Sequence, residues 1–299
     1  MGNFKVTLLG TGTPRPKPDR YGSSTLVEAG EEKFIFDCGR CTFQRLFETG
    51  TVLKQVNKLF LTHLHSDHTV GIPDLWLTPW IYGRWEEPFY VWGPVGTLNM
   101  MTKLEEAFDF DIHIRPIHDL IPPEGAKIVP QEIEEGVVYE KNGVKVTAFE
   151  VDHRPIQPSY GYRVEYEGKA VVLSGDTAYS ENLIKFAKNV DLLIHNVGAA
   201  SEEVLRTSER YRSIMTLHAS PEEAGEVFTR ANPKLSVYTH MVLLKVTKEE
   251  LVEQTRKTYT GPLEIGEDLM AFEIGEKITI IRPSDNSSRS ARPDLSVEL

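Results

Sequence analysis

The stretch of sequence that decides the fold is Thr62-His63-Leu64-His65-Ser66-Asp67-His68. It carries three imidazoles and one carboxylate between His63 and His68, a density that a solvated polar loop reaches by chance very rarely. On an extended loop, the side chains of His63 and His65 point to the same side and can share one metal ion. The turn at Ser66 and Asp67 then directs Asp67 and His68 toward a second ion. The segment therefore predicts a metal centre.

This segment lies between a predicted strand and a predicted helix. The apolar run Lys58–Thr62 is typical of a short strand, and an amphipathic stretch from about Val70 to Ile81 follows the histidines. Apolar runs and turn residues predict further strands at Phe4–Leu9, Ser24–Glu28, Lys33–Asp37, Phe89–Trp92, Val144–Val151, Tyr160–Glu165, Ala170–Ser174, Asp191–His195, Leu235–His240, Met270–Ile274 and Lys277–Ile281. Helices are predicted near Thr42–Glu48, Leu98–Phe108, Ser180–Ala187, Pro221–Arg230 and Thr247–Thr258. The mixture of strands and helices predicts the α/β class.

Three other potential ligands occur where later apolar runs end. They are His153 in Val151-Asp152-His153-Arg154, Asp176 in Ser174-Gly175-Asp176-Thr177 and His240 in Tyr238-Thr239-His240. Strand ends gather at one edge of a sheet, so side chains that are far apart in sequence can converge there. We therefore predict that His153, Asp176 and His240 complete the metal centre.

Length and composition are those of an ordinary globular protein. The chain has 299 residues, of which 40% are hydrophobic and 26% charged, and no apolar run approaches the roughly 20 residues that span a bilayer. We expect one domain over residues 1–283, a flexible tail over residues 284–299 and a cytoplasmic location, with a removed leader left open. The formal net charge of −11 argues against a nucleic-acid partner, because phosphate contacts normally need Lys or Arg. A small-molecule substrate is favoured, and no membrane partner is expected.

The two cysteines, Cys38 and Cys41, are too few for a disulfide framework or a structural zinc site. Their Cys-x-x-Cys spacing leaves a redox pair open as an alternative. We interpret them as reduced thiols.

A dense set of aromatic residues follows the histidine segment. Half or more of them are expected in the core or in a dimer contact. Those directly after His68 are near enough to the predicted metals to wall an apolar substrate pocket instead. The set consists of Trp76, Trp80, Tyr82, Trp85, Phe89, Tyr90 and Trp92.

Several motifs occur together in an order typical of one known superfamily. They are the His63-to-His68 segment, Gly10-Thr11-Gly12-Thr13-Pro14, Asp37-Cys38-Gly39, Ser174-Gly175-Asp176-Thr177 and Thr239-His240. Over about residues 4 to 281 the chain thereby resembles the metallo-β-lactamase superfamily, with a closer similarity to its ribonuclease Z and zinc arylsulfatase-like branch. This resemblance implies an α/β fold built as a four-layer αββα sandwich, with two mixed β-sheets face to face, helices outside and metals at one edge.

The resemblance also implies which residues bind each metal. His63, His65 and His153 would bind the first zinc ion. Asp67, His68 and His240 would bind the second, and Asp176 would bridge both. Members that use iron for electron or oxygen chemistry usually carry Glu where this chain has His65, so two zinc ions are expected, with manganese or iron as alternatives. The resemblance further implies a homodimer.

His218 resembles the histidine that protonates or orients the leaving group in this branch. Its alternative role is that of a helix-capping or core histidine. In ribonuclease Z that histidine is backed by the Glu of a His-Glu-Ala-Thr segment, whereas this chain has His195-Asn196-Val197-Gly198. Asn196 can orient His218 through a hydrogen bond, but it raises the pKa of His218 less than a carboxylate does.

The predicted activity is that of a zinc-dependent hydrolase in which a metal-bound hydroxide attacks a small activated substrate, such as an aryl sulfate, phosphodiester or related ester. Asp67 would accept a hydrogen bond from the hydroxide, and His218, supported by Asn196, would protonate the departing oxygen. The alternatives are a transfer-RNA 3′ endonuclease, a hydrolytic dehalogenase of an electron-poor aromatic ring and a non-catalytic scaffold. The endonuclease normally has a Gly/Pro-rich basic arm, and residues 94–143 hold many acids instead. A scaffold is disfavoured because the ligand set is complete.

Overall fold

The computed structural model describes residues 3–283, which form two β-sheets with helices outside them. Within these residues the strands are β1 (Phe4–Gly10), β2 (Ser24–Ala29), β3 (Glu32–Phe36), β4 (Lys58–Phe60), β5 (Phe89–Gly93), β6 (Ile128–Glu132), β7 (Gly136–Lys141), β8 (Val144–Glu150), β9 (Tyr160–Tyr166), β10 (Lys169–Leu173), β11 (Leu192–Ala200), β12 (Leu235–Leu244), β13 (Leu263–Ile265), β14 (Ala271–Ile274) and β15 (Ile278–Ile281). The α-helices are α1 (Thr42–Glu48), α2 (Ser66–Thr69), α3 (Ile72–Ile81), α4 (Thr97–Ala107), α5 (Asp109–His118), α6 (Glu181–Phe186), α7 (Glu202–Thr207), α8 (Glu209–Met215), α9 (Pro221–Ala231) and α10 (Lys248–Thr255). Over the same residues, no helix is both long and apolar enough to cross a bilayer. The tail predicted at residues 284–299 lies outside the described part of the chain.

Both sheets contain parallel and antiparallel strands. The first has the order β15-β14-β1-β2-β3-β4-β5-β6, and the run from β3 to β6 is parallel. The second has the order β13-β12-β11-β10-β9-β8-β7, and the run from β10 to β13 is parallel. The remaining pairs in each sheet are antiparallel.

Apolar side chains form three core clusters that correspond to the interfaces between four layers. The central cluster joins the two sheets, and in it the ring of Phe60 on β4 lies 5.6 Å from that of Tyr162 on β9. A second cluster includes Phe228 of α9 and Leu193 of β11, and a third contains Trp76 of α3 over the outer face of the first sheet. Helix, sheet, sheet and helix therefore succeed one another, and the predicted four-layer αββα sandwich is confirmed.

The sequence missed elements that are mostly exposed or very short. Helix α5 has no fully buried residue, β7 has none either, and β13 spans three residues. Apolar periodicity is weak in such elements, because only a buried face forces a regular pattern on the sequence. Residues 94–143, which hold many acids in place of the endonuclease's basic arm, contain α4, α5, β6 and β7.

The ends of three strands and the interior of a fourth bring the predicted ligands to one edge of the sandwich. His63 follows β4, His153 follows β8 and Asp176 follows β10, while His240 lies within β12. These strands belong to both sheets, so the ligands of the first sheet face those of the second. The prediction that strand ends converge is correct for His63, His153 and Asp176.

A glycine turn directs Asp176 toward this edge. Gly175 has a φ of +62°, a left-handed conformation that favours glycine. A Cβ at this position would lie 2.7 Å from the carbonyl oxygen of Tyr160, so a larger residue would also displace the neighbouring strand. The turn at Gly175 therefore positions Asp176 in the site.

A β-bulge places His240. His195 on β11 pairs with Tyr238, whereas Val197 pairs with Met241, so β12 holds one extra residue at this point. His240 lies in the bulge with a φ of +41°. Bulges re-aim side chains and are frequent next to active sites. The prediction that the strand ends at His240 is wrong, because the pairing resumes after the bulge and continues to the end of β12.

His195 predicts an acid sensitivity of the fold. Its ring is fully buried against the edge of Phe228, and burial lowers the pKa of His195 from 6.5 to about 4. The unfolded chain therefore binds a proton at a pH where the folded chain does not, so the stability is complete above pH 6.5 and is lost as the pH falls toward 4. We expect the free energy of unfolding to fall by about 2 kcal/mol between pH 7 and 5 through this group alone.

Urea unfolding of wild type and His195→Leu at several pH values measures this effect. The variant should show a shallower loss of stability between pH 7 and 5, whatever its stability at pH 7. His113→Leu, at a residue that is largely exposed on α5, serves as the control and should retain the wild-type slope. Equal slopes in all three proteins would contradict the assignment to His195.

Candidate metal centre

All seven predicted metal ligands lie together at the edge of the sandwich. Their potential ligand atoms form groups in which every atom lies within 4.8 Å of the others. The groups are His63, His65 and His153; Asp67, His68 and His240; and His63, His68 and Asp176. The first two groups have the same members as the two predicted zinc sites, and Asp176 lies between them.

Hydrogen bonds turn one nitrogen of His63 and one of His153 toward the first group. His63 Nδ1 lies 2.9 Å from the hydroxyl of Thr62, whose hydrogen is donated elsewhere, so Nδ1 donates and Nε2 keeps a free lone pair. His153 Nδ1 donates to the carbonyl oxygen of Leu217 at 3.0 Å, which leaves Nε2 as its ligand atom. His65 Nδ1 lies 2.9 Å from His63 Nε2. Three ring nitrogens therefore converge, as a tetrahedral zinc ion requires.

The second group is arranged around the ring of His68. His68 Nδ1 donates to the Asp37 carboxylate at 2.7 Å, so Nε2 is the ligand atom. That Nε2 lies 3.5 Å from Oδ2 of Asp67 and 3.5 Å from Oδ2 of Asp176. His240 Nε2 lies 3.1 Å from Oδ2 of Asp67. Two imidazoles and two carboxylates thus meet at one point.

The charges in the centre are strongly coupled. Burial raises the pKa of Asp176, but the neighbouring His240 and His68 outweigh it and hold that pKa well below the usual value. Burial, reinforced by the charge of His68, lowers the pKa of His63 well below 6.5. Asp176 is therefore ionised and His63 is neutral at pH 7, which are the forms that bind metal.

Unpaired buried nitrogens show that the residues fit a metal ion. His68 Nε2, His153 Nε2 and His240 Nδ1 are buried and have no hydrogen-bond partner. Buried polar atoms are nearly always paired, and a metal ion between the two groups would supply the partner that these three nitrogens lack. The nitrogen and oxygen donors suit zinc, and manganese and iron accept similar ligands.

Asp37 had no predicted role, yet it supports both groups. Its carboxylate accepts hydrogen bonds from His68 Nδ1 at 2.7 Å, from the backbone N–H of Thr62 at 2.8 Å and from the Thr62 hydroxyl at 2.9 Å. Thr62 in turn accepts a hydrogen bond from His63, so one carboxylate orients a ligand of each group. The available signal was its place directly after β3, at the same sheet edge as the ligands.

The structure also brings His218 and Asn196 to this edge. The ring of His218 lies 5.7 Å from that of His153 and 5.6 Å from that of His240. Asn196 Nδ2 lies 2.9 Å from His218 Nδ1, so the predicted contact between them exists. Burial lowers the pKa of His218 to about 4, and the attraction of Asp176 offsets this shift only in part.

The expectation that half or more of the aromatic residues after the histidine segment belong to the core is confirmed, and the alternative of an apolar pocket fails for Trp76 and Trp80. Trp76, Trp80 and Phe89 are fully buried in the core cluster over the first sheet. Helix α3 turns its apolar face to that sheet, so its tryptophans are not available to a substrate. Tyr82 and Trp85 are 67% and 47% exposed.

The two cysteines are separate free thiols. Cys38 is buried, and burial raises the pKa of its thiol, which makes it a poor nucleophile. Cys41 is exposed and precedes α1. This arrangement agrees with the interpretation as reduced thiols.

Comparisons with known proteins agree on a family. The profile described as the beta-lactamase superfamily domain matches residues 32–241. A ribonuclease Z of Mycolicibacterium gilvum (strain PYR-GCK) is 37% identical over 277 residues, which cover 91% of this chain and 96% of the relative. A ribonuclease Z of Mycolicibacterium paratuberculosis is 37% identical over 279 residues, with 91% and 98% covered.

Solved structures share the fold at lower identity. The metallo-β-lactamase fold protein YhfI of Bacillus subtilis has a TM-score of 0.72 at 19% identity, with 91% of this chain and 100% of that chain covered. The short form of human tRNase Z has a TM-score of 0.66 at 24% identity, with 91% and 99% covered. A diphosphatase of the PhnP family has a TM-score of 0.66 at 17% identity, with 91% and 98% covered.

Proposed function

Since the chain belongs to the metallo-β-lactamase superfamily and to its ribonuclease Z branch, we propose that it hydrolyses phosphodiester bonds, with the 3′ end of a transfer-RNA precursor as first candidate substrate. The coarser statement, that the chain is a metal-dependent hydrolase, follows from the family. Relatives named ribonuclease Z, matched over nearly their whole length, support the finer one. These relatives give no support to an aryl sulfate, which the sequence had favoured.

One observation carries the proposal: the ionised carboxylate of Asp176 lies between two groups of side chains that could each hold a metal ion. Two metal ions held there would acidify a water molecule and polarise a phosphoryl oxygen. Phosphodiester hydrolysis needs both effects, because the substrate is itself anionic and repels a hydroxide. We propose zinc as the metal, with manganese and iron as alternatives.

The protein's own side chains would do the rest. Asp67 is held by His240 at 3.1 Å and can accept a hydrogen bond from the attacking water. His218 adjoins both groups and can donate a hydrogen bond to the oxygen that departs. Asp37 and Leu217 fix the direction of the rings of His68 and His153.

A second candidate is a small ester with a good leaving group. The net charge of −11 favours it, since an acidic protein repels the RNA backbone. The uncharged Asn196 behind His218 favours it as well, because a neutral amide assists protonation of a poor leaving group less than a carboxylate does. Hydrolytic dehalogenation of an electron-poor ring is a separate alternative that shares only the good leaving group.

A substrate panel with controlled metal content tests the proposal. The metal-free protein, prepared with a chelator, is reloaded with zinc, manganese or iron and offered a transfer-RNA precursor, bis(4-nitrophenyl) phosphate, 4-nitrophenyl sulfate and an aryl chloride. We expect no turnover without metal and phosphodiester cleavage after reloading. A protein that cleaves only the sulfate or the chloride, or that works equally well after chelation, would refute phosphodiester hydrolysis. Cleavage of the small phosphodiester without the RNA would select the second candidate.

A further inference from the structure

The side-chain amide of Asn196 is held in one orientation by the backbone of Thr177. The Thr177 N–H donates to Asn196 Oδ1 at 3.3 Å, and Asn196 Nδ2 donates to the Thr177 carbonyl oxygen at 3.1 Å. That carbonyl also accepts the N–H of Ala219 at 2.9 Å, so its position is fixed independently of the amide. Flipping the amide would set oxygen against oxygen and N–H against N–H in a buried place, where unpaired polar groups are strongly disfavoured.

The second hydrogen of the same amide nitrogen meets His218. Asn196 Nδ2 lies 2.9 Å from His218 Nδ1, and an amide nitrogen only donates, so Nδ1 must accept. A neutral imidazole that accepts at Nδ1 carries its hydrogen on Nε2. Ser174 does not compete for the amide, because its hydroxyl donates to the Gly175 carbonyl oxygen at 2.6 Å and lies 3.5 Å from Asn196 Oδ1.

His218 lies beside the potential metal ligands. A ring nitrogen of His218 lies within 4.8 Å of ligand atoms of Asp176 and His240. Since Nδ1 is occupied by Asn196, Nε2 is the nitrogen available to a substrate. A Cβ at Gly198 would lie 2.9 Å from the Cβ of His218. His218 therefore packs closely against β11, and its Cβ has little room to move.

We propose that Asn196 is a positioning residue that fixes His218 as an Nε2–H hydrogen-bond donor, so that the leaving oxygen departs as an anion. This inference rests on the proposed phosphodiester hydrolysis. In that step the incoming hydroxide oxygen forms a bond to phosphorus, the bond to the leaving oxygen breaks, and its electron pair goes with the leaving oxygen. Nε2 keeps its hydrogen, and the departing anion takes a proton from solvent. Among phosphodiesters, those of acidic alcohols such as phenols therefore react fastest, and a transfer-RNA precursor, whose leaving group is a ribose hydroxyl, is cleaved more slowly than an aryl diester.

Nitrogen-15 spectra of the imidazoles test the tautomer without any substrate. The chain has nine histidines, so the His218 signals are assigned by their absence in His218→Asn. In the zinc-loaded wild type at pH 7 we expect the His218 Nδ1 signal of an unprotonated acceptor and the Nε2 signal of an N–H. A protonated Nδ1 in the zinc-loaded wild type would overturn the proposal.

A leaving-group series tests the consequence for catalysis. Log kcat/KM is plotted against the pKa of the leaving phenol or alcohol for a set of methyl phosphodiesters. For the wild type, log kcat/KM should fall steeply as the pKa of the leaving alcohol rises. Asn196→Asp keeps the shape but supplies a carboxylate that accepts the Nδ1–H of a doubly protonated ring, so Nε2 can then deliver its proton. We expect the poorest leaving group to gain on the order of 10²-fold relative to the best, the scale of general acid catalysis.

Asn99→Asp, on the exposed face of α4, adds the same charge and should keep the wild-type slope. Equal slopes in wild type and Asn196→Asp would overturn the role of Asn196. Circular dichroism shows whether the variant is folded. If it is misfolded, the nitrogen-15 spectrum of the wild type decides. Wild type that cleaves no member of the series would refute the proposed function, while the spectrum would still report the tautomer.

Discussion

Asp176→Asn should reduce the metal content from two ions per chain to one or fewer and lower kcat/KM by roughly 10³-fold or more, the scale for loss of one key charged or polar group in an active site. The amide has the size of the carboxylate but lacks its charge. It cannot neutralise two cations, and its nitrogen would face His68 or His240, whose ring nitrogens lie 3.5 and 3.3 Å from the carboxylate oxygens. The effect reaches both groups because Asp176 lies between them.

Elemental analysis by mass spectrometry and the hydrolysis of bis(4-nitrophenyl) phosphate measure the two effects separately. Asp109→Asn is the matched control, since Asp109 is 69% exposed on α5. The control should bind metal and turn over substrate as the wild type does. If Asp176→Asn retained two ions per chain and the wild-type rate, Asp176 would not be a bridging ligand.

Asp37→Asn should weaken metal binding by about 10- to 100-fold, although Asp37 is not a metal ligand. The amide nitrogen cannot accept from His68 Nδ1, whose hydrogen bond to Asp37 is 2.7 Å long. If the amide is turned so that its oxygen meets His68, its nitrogen instead faces the backbone N–H of Thr62, which is then unpaired. In either orientation a ligand ring or its supporting loop loses a fixed partner.

The same substitution should lower the free energy of unfolding of the metal-free protein by about 1–3 kcal/mol, because a buried donor loses its acceptor. A competing zinc indicator measures affinity, and urea unfolding in chelator measures stability. Asp109→Asn again provides the reference. Unchanged affinity in Asp37→Asn would show that His68 is oriented by other contacts.

The sequence predicted which side chains gather at this edge because their chemistry is local and their placement follows a general rule. Histidines and aspartates at strand ends indicate a site whatever the exact register, since strand ends share an edge. The role of Asp37 was not predicted, because a single carboxylate after a strand is common. Its importance follows only from its distances to Thr62 and His68. The bulge at His240 was not predicted, because one extra residue in a strand does not give a recognisable apolar pattern.

The four-layer architecture was predictable through the family resemblance, whereas the outer elements were not. Buried strands such as β4 and β10 are apolar because both of their faces are covered, and that pattern survives in the sequence. Helix α5 has no fully buried residue, so its polar and apolar residues do not form a regular pattern in the sequence. The alternative of an apolar pocket beside His68 failed for a related reason. Proximity in sequence to His68 does not reveal that α3 turns Trp76 and Trp80 into the core.

The division of the ligands between the two sheets has a consequence for how the protein matures. A ribosome that has made residues 63–68 still has to synthesise the chain up to His240 before the last ligand exists. Until His153 and Asp176 have been made, the early histidines belong to half a centre with too few donors to bind a metal ion tightly. Tight metal uptake is thus a late event that reports the docking of one half of the polypeptide on the other. A metal ion, once captured, locks that docking in place.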